Sequence, residues 1–324
     1  MSEIVPMSTT TTMEAFEERF STEEACVEYL RAMRWPKGFC CPSCGGGKSW
    51  SIRGRALEQC ATCGHQVSIT AGTVFHGTRK PLMTWFRVIQ QFLVSKSGCS
   101  AKDIERQHGL RYETAWTWLH KIRSFMDRSG RSPLQSPVEA DETYVGGEDT
   151  GGGGRSLEGK KSVVLGAVEV RGRACGRVRL APSGSAAAVD LLPFIGANVA
   201  KESTVFTDGW AGYAGLQKDG YDHAPEVIGD PKRAPKVLPK IHRVFSLLHR
   251  LLLGTYQGAV SKKHEKVYLD EFTFRFNRRN SASRWLLVQR FFECCFSPPP
   301  TYRQLVEEID AQPQAVGGLN HPLI

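Results

Sequence analysis

Val138-Glu139-Ala140-Asp141-Glu142-Thr143-Tyr144-Val145 is the stretch on which the fold depends. Val, Thr and Tyr favour a pleated strand, yet three of the eight residues are acidic. A carboxylate in a buried strand is costly unless it has a partner. The two-residue period sends Glu139 and Asp141 to one face and Glu142 to the other. Working outward, 162–170 and 177–180 read as two more strands joined by a turn over 171–176. A helix follows over 186–201, a strand over 203–207 and a loop over 219–239. Helices are expected over 241–253 and 263–278. Strand-strand-strand-helix-strand-helix is an α/β order, a mixed sheet packed by helices. No internal repeat is visible.

Further along, Val205-Phe206-Thr207-Asp208-Gly209-Trp210 ends a strand directly in an aspartate. Carboxylates at strand ends converge on a hard cation such as Mg²⁺. Taken alone, each aspartate reads equally as a turn or cap residue. Together, on two strands of a basic protein, they point to metal-dependent phosphodiester chemistry. His242 and His249, in HRVFSLLHR, are seven apart and share a helix face. Glu265 reads as part of a solvated helix face, and Asp270 and Glu271 follow in YLDEFTFRFNRR.

Upstream, 129–137 is a linker, and before it the pattern is helical. PLMTWFRVIQQFLVSK over 81–96 is amphipathic, with Pro81 in its first turn. Ser100 is an N-cap for a short helix to about His108, Gly109 makes a turn, and a second helix runs from about Tyr112 to Met126. Helix, Gly-containing turn, helix is the pattern of a helix-turn-helix or of a plain αα-hairpin. Basic surroundings favour the DNA-contacting form, with Arg111, Lys121 and Arg123 as candidate contacts and Trp116 and Trp118 as core. Farther upstream, Cys41-Pro-Ser-Cys44, fifteen residues and Cys60-Ala-Thr-Cys63 form two CxxC turns. Their four sulfurs make a closed tetrahedral shell for one structural zinc ion. Gly45–Gly47 and Gly64 follow the two turns, where positive φ lets backbone amides face the sulfurs. Before the ribbon, 13–33 is amphipathic, and Ser21 with Glu24 reads as a capping box that marks a helix boundary.

Charge is unevenly placed. Of the net +9, the stretch from Arg31 to Arg131 carries 17 Lys/Arg against 5 Asp/Glu, which points to a polyanion such as nucleic acid. Hydrophobic content of 41% and charged content of 23% are ordinary for a globular protein. Ten cysteines in 324 residues do not make a secreted disulfide scaffold. The six outside the CxxC turns, Cys26, Cys40, Cys99, Cys175, Cys294 and Cys295, read as buried or partly buried thiols. MSEIVPMSTTTT has no signal-peptide pattern, and no run approaches about 18 apolar residues. No membrane association is expected, and the expected compartment is the cytosol.

CPSCGGGKSW, AGTVFHGTRKPLMTWF, VEADETYVGGE, TDGWAGYAGL, GYDH, LLLGTYQGAVSKKH and YLDEFTFRFNRR occur in order over most of the chain. In these stretches the chain resembles the bacterial insertion-sequence transposases with an N-terminal zinc ribbon and an ISXO-like DDE domain. The resemblance implies an RNase H-like catalytic domain that cuts and joins DNA ends using two divalent metals. It places the first catalytic Asp on Asp141 and the second on Asp208. The third, a late-helix position seven residues before a family Lys, falls on His242, with His249 in the Lys place. This is a His variant of the triad with Lys changed to His beside it. Asp141, Asp208 and His242 would hold Mg²⁺ or Mn²⁺. An imidazole brings no charge and is softer than carboxylate, which favours tolerance of Mn²⁺. His249 is a cation only when protonated.

The expected organisation is a disordered tail (1–13), an N-terminal helix plus zinc ribbon (14–78), a helix-turn-helix-like region (79–130), the RNase H-like domain (137–293) and a C-terminal tail (294–324). The expected partners are DNA, as terminal inverted repeats and target, and further copies of the chain on that DNA. The alternative is a catalytically impaired DNA-binding protein derived from a transposase. Another RNase H-like nuclease, such as a resolvase, is a second rival.

Overall fold

The structure is a computed structural model and describes residues 12–52, 54–126, 132–146, 162–226, 237–258, 260–281, 283–296 and 299–306. The Gly-rich run 150–154, residues 1–11 of the expected tail and most of 294–324 lie outside the described residues.

Two helices open the chain, α1 (Met13–Arg19) and α2 (Glu23–Arg34). The boundary falls one residue later than the Ser21 box implies. Thr22 is the N-cap, and its hydroxyl accepts from the Ala25 N–H. A three-stranded antiparallel ribbon follows, β1 (Ser49–Ser51), β2 (Leu57–Cys60) and β3 (Gln66–Ser68). Glu58 of β2 is buried, accepts from Ser49 and Ser51, and pairs with Arg31 of α2 at 2.8 Å, which ties the ribbon to the helix.

The helical region is α3 (Leu82–Val94), α4 (Ala101–His108) and α5 (Tyr112–Ser124). Ser100 and Asp103 form a reciprocal capping box, and Gly109 ends α4 in the left-handed conformation at φ 61°. Trp118 stacks on Trp85 with ring centroids 3.6 Å apart. The apolar faces of α1–α5 share one core with the apolar run after the ribbon (Ile69, Val74, Phe75) and with α9 (Trp285–Cys294). The sequence division places α9 with the sheet domain. Its Trp285, Phe291 and Phe292 instead pack among the N-terminal helices.

The second half is a five-stranded mixed sheet of β4 (Val138–Val145), β5 (Ser162–Arg171), β6 (Ala174–Ser183), β7 (Thr204–Thr207) and β8 (Asp222–Pro225). The order is β6-β5-β4-β7-β8. β4 pairs antiparallel with β5 and parallel with β7. Strand β8, parallel to β7, falls in the segment read as loop. Its DHAP sequence lacks strand formers, and its ladder with β7 holds it extended.

The sheet is covered on both faces. Val138 and Ala140 of β4 pack with α6 (Ala188–Asn198), whereas Val145 packs with α7 (Pro239–Arg250) and α8 (Glu265–Asn277). This is the α/β, RNase H-like sheet with flanking helices expected from the sequence. Helix α7 continues into a π-helical turn, Leu251–Thr255. A further short helix, α10, covers Tyr302–Val306.

The acidic residues of α8 are not on a solvated face. Glu265, Asp270 and Glu271 are all buried. Glu265 accepts from Ser162 Oγ at 2.6 Å. Glu271 accepts from Arg123 Nε (2.8 Å), Arg275 Nε (2.8 Å) and Tyr256 Oη (2.7 Å). Burial alone would push its carboxyl up, but the two guanidiniums and the tyrosine hold it below its ordinary range. Arg275 also donates to the carbonyls of Ser95 and Phe92. This ionic cluster joins the helical region to α8 and the sheet domain. Of the six non-CxxC cysteines, Cys40 is exposed, contrary to the sequence reading.

Candidate active site and metal centre

Period-two alternation brings Glu139, Asp141 and Thr143 to the face covered by α7. Glu139 Oε2 accepts from the N–H groups of Lys240 (2.7 Å) and Ile241 (2.9 Å), satisfying the open end of that helix. Burial pushes its carboxyl up, opposed by those two N–H groups. Pro239 sits in the first turn, where no N–H is needed. Glu139 therefore fixes where α7 begins, and so where His242 stands. The sequence reading used Glu139 only as a neighbour of Asp141. Its shared strand face was the one signal of this role.

A second device sets the depth of α7. Gly166 pairs with Asp141 across β4 and β5. A Cβ there would lie 2.7 Å from Phe245 Cε1 and 3.0 Å from Ile241 Cδ1. Only glycine lets α7 come this close to the sheet beside Asp141. The outcome is His242 Nδ1 at 3.8 Å from Asp141 Oδ2, apposed but beyond mutual hydrogen-bond reach.

Asp208 comes to the same end of the sheet by register. β4 and β7 run parallel with Val138 opposite Val205 and Glu139 opposite Phe206; continued two residues past this pairing, the same offset would set Asp208, just beyond the end of β7, against Asp141. Adjacent strands lie about 4.8 Å apart. Asp208 Oδ1 accepts from the Trp210 N–H at 2.9 Å, turning the chain after the strand. Glu142, on the opposite face, accepts from Tyr213 Oη at 3.2 Å. Burial and the Glu142 carboxylate hold Tyr213 protonated, with Asp141 and Asp208 close enough to add to the effect.

His249 lies two turns along α7, with Nε2 at 3.4 Å from Thr143 Oγ1. Burial lowers its affinity for a proton, so it stands as a neutral imidazole at neutral pH. The structure thus brings His242 beside Asp141 and His249 beside Thr143, two residues further along β4, and the β4–β7 register directs Asp208 toward the same end of the sheet. Their ligand atoms are not gathered within 4.8 Å of one another. Among the described residues, only the four cysteines form such a group.

The cysteine site is tight. Cys41 and Cys63 Sγ are 3.7 Å apart, and Cys44 and Cys60 Sγ are 3.6 Å apart. A tetrahedral shell with Zn–S bonds near 2.3 Å needs edges of about 3.8 Å, so the four sulfurs fit zinc. The two turns repeat one geometry. Gly45 N–H donates to Cys41 O, Gly64 N–H to Cys60 O, and φ is 71° at Gly45 and 72° at Gly64. N–H groups of Cys63 and Thr62 facing Cys60 Sγ pull its thiol down to about 6. Cys40 lies outside the quartet.

Of the three candidate DNA contacts, only Arg111 is exposed, as the N-cap of α5. Lys121 is half-buried, and burial lowers its pKa. Arg123 is a correction to the sequence reading. It is 1% exposed, bound to Glu271 and packed against the rings of Tyr268, Tyr256 and Phe92, so it cannot reach DNA. The long reach from α5 to α8, 148 residues apart, hid this partner from the sequence. Trp118 is buried as expected, but Trp116 is only partly so, against His120 and His264.

No helix among the described residues is long and apolar enough to cross a membrane. No curated protein matches the chain in sequence. Residues 133–277 match the ISXO2-like transposase domain, and residues 21–66 match the transposase zinc-ribbon domain. The first match covers the sheet and helices that carry Asp141, Asp208 and His242, and the second covers all four zinc-binding cysteines. The chain thus carries an ISXO2-like transposase domain and a transposase zinc-ribbon domain, the two domains by which it is similar to IS1595-type insertion-sequence transposases.

Proposed function

We propose that this protein binds the ends of its insertion sequence and catalyses divalent-metal-dependent DNA cleavage and strand transfer, with Asp141, Asp208 and His242 holding Mg²⁺ or Mn²⁺. The observation that supports this most is the register of β4 and β7, which directs Asp208 toward Asp141 while α7 sets His242 Nδ1 at 3.8 Å from Asp141. Two carboxylates and an imidazole are a donor set that divalent ions accept, with more tolerance of Mn²⁺ than three carboxylates. When bound, such ions activate the attacking water or 3′-hydroxyl and stabilise the leaving 3′ oxygen.

The chain's own residues supply position. Glu139 and Gly166 fix the helix that carries His242. His249, neutral and beside Thr143, offers a hydrogen bond rather than a fixed positive charge to a nearby phosphate. The zinc ribbon and α4–α5 bind the element's terminal repeats, with Arg111 as the contact the structure leaves open. Cutting two ends in one event calls for more than one copy of the chain on the DNA.

The test is nicking of a terminal-repeat duplex with Mn²⁺ or Mg²⁺, followed by transfer into a target plasmid. Wild type is expected to nick and join, and Asp208→Ala to do neither. Nicking without joining would favour a resolvase-like nuclease. Binding without nicking under any divalent metal would leave only a DNA-binding protein.

A further inference from the structure

A groove of about 530 Å³ runs between α7, α8 and the chain just after α3, away from the Asp141 cluster. Five of its lining side chains are cationic, Lys96, Arg250, Arg275, Arg279 and Arg284, and no carboxylate lines it. Two of the five are already engaged. Arg275 is held by Glu271 and the Ser95 and Phe92 carbonyls, and Arg279 donates to the carbonyls of Cys175, Gly176 and Phe276. Lys96, Arg250 and Arg284 have no hydrogen-bond or ion-pair partner among the described residues. They come from three separate places in the chain, so the fold gathers them. Like charges without counter-charges repel one another, and such a gathering persists where an anion is to be met.

The groove walls are pinned in place. Arg275 binds the Ser95 carbonyl, and Thr255 Oγ1 binds the Ser97 carbonyl at 2.9 Å, which fixes the Lys96 loop against the π-helical turn. The floor is apolar, from Leu247, Leu251 and Phe272. On α7, Arg243 precedes Arg250 by seven residues and is exposed, so the basic row extends along the helix. This row lies about 100° around α7 from His242, at 100° per residue. Helix α7 therefore carries the candidate catalytic face on one side and a basic face on the next.

We propose that this groove grips the phosphate backbone of duplex DNA at the seam between the helical region and the sheet domain. The inference rests on the transposase reading above and names a DNA-binding face distinct from the ribbon and from the α4–α5 pair. A linear array of phosphates matches cations spread along a groove, and apolar sugar faces match its floor.

The test uses the full chain, a labelled duplex of about two helical turns and a salt titration followed by fluorescence anisotropy. The variant is Lys96→Ala/Arg250→Ala/Arg284→Ala. Loss of three phosphate contacts is expected to make the log–log salt slope shallower by roughly 2.7 and to weaken binding roughly 100-fold near 0.15 M salt. The melting temperature should be unchanged, since all three side chains lack partners. Arg250→Lys should keep the wild-type slope. If the triple variant binds with wild-type affinity and slope, the groove proposal is overturned while the transposase reading stands. If wild type binds no duplex at any salt, the transposase reading falls and the groove with it. If polyglutamate binds as tightly as DNA and loses as much in the triple variant, the commitment to DNA is overturned.

Discussion

Substituting Gly166 by alanine tests how the candidate active site is positioned. The added Cβ would stand 2.7 and 2.8 Å from Phe245 Cε1 and Cζ and 3.0 Å from Ile241 Cδ1. Carbon atoms rest at about 3.5–4.0 Å, so α7 or the Phe245 ring must retreat by on the order of 1 Å. Phe245 and Ile241 are buried and have no open space to enter. Overpacking of this kind costs about 1–3 kcal/mol, or a fall in melting temperature of roughly 2–12 °C for a unit of this size. The same retreat draws His242 away from Asp141, and a misplacement near 1 Å lowers turnover by about 10²-fold. Thermal melting and single-turnover Mn²⁺-dependent nicking read the two effects separately. Adding Phe245→Leu should recover part of each, because the pair is in contact and its effects do not add. Full nicking in a destabilised Gly166→Ala protein would refute the claim that the seating of α7 matters. Unchanged melting would refute the packing argument itself.

Three further outcomes are expected. Glu271→Ala leaves Arg123 and Arg275 buried without their carboxylate, which costs about 3–5 kcal/mol; denaturant unfolding measures it, and a loss under about 1 kcal/mol would sink the cluster's structural role. Because the Glu271 carboxyl is held below its ordinary pKa, its contribution is complete above that ordinary value and fades as pH falls through the folded one. His120 is buried among Trp116, His264 and Tyr268, and burial first, then Arg123 and His264, hold its pKa down to about 2. The unfolded chain takes up that proton below about pH 6.5, so stability falls on acidification by up to about 1.4 kcal/mol per pH unit. His120→Phe should flatten that slope, and an unchanged pH–melting profile would contradict it. Finally, Cys60→Ser should open the ribbon, abolish specific end binding and speed amide exchange in α3, which shares a core with Ile69 and Phe75. The Val163–Val168 strand, in a separate core, should stay protected; equal loss there would make the ribbon structural for the whole chain.

The sequence carried much of this. Four cysteines in two CxxC turns determine their own site, because each turn is local and the spacing sets the loop. The Ser100 cap, Gly109 turn and second helix were equally legible, since caps and turns act over three or four residues. The two-residue period on β4 correctly put Glu139 and Asp141 on one face. Strand β8 was missed because its ladder with β7, not DHAP itself, holds it extended. Arg123 and Glu265 were misread because a charged residue on an amphipathic helix looks solvated until its distant partner is known.

By itself, then, the sequence determined the zinc ribbon and the helical pair and nominated Asp141, Asp208 and His242 as the candidate set, all features of short-range chemistry or motif order. Only the tertiary structure decided that the β4–β7 register directs Asp208 toward Asp141, that Gly166 and Glu139 seat α7 against the sheet, that Arg123 faces Glu271 rather than DNA, and that Lys96, Arg250 and Arg284 share a groove. Each of these is a contact between segments far apart in the chain, and their closeness depends on packing that no local pattern encodes.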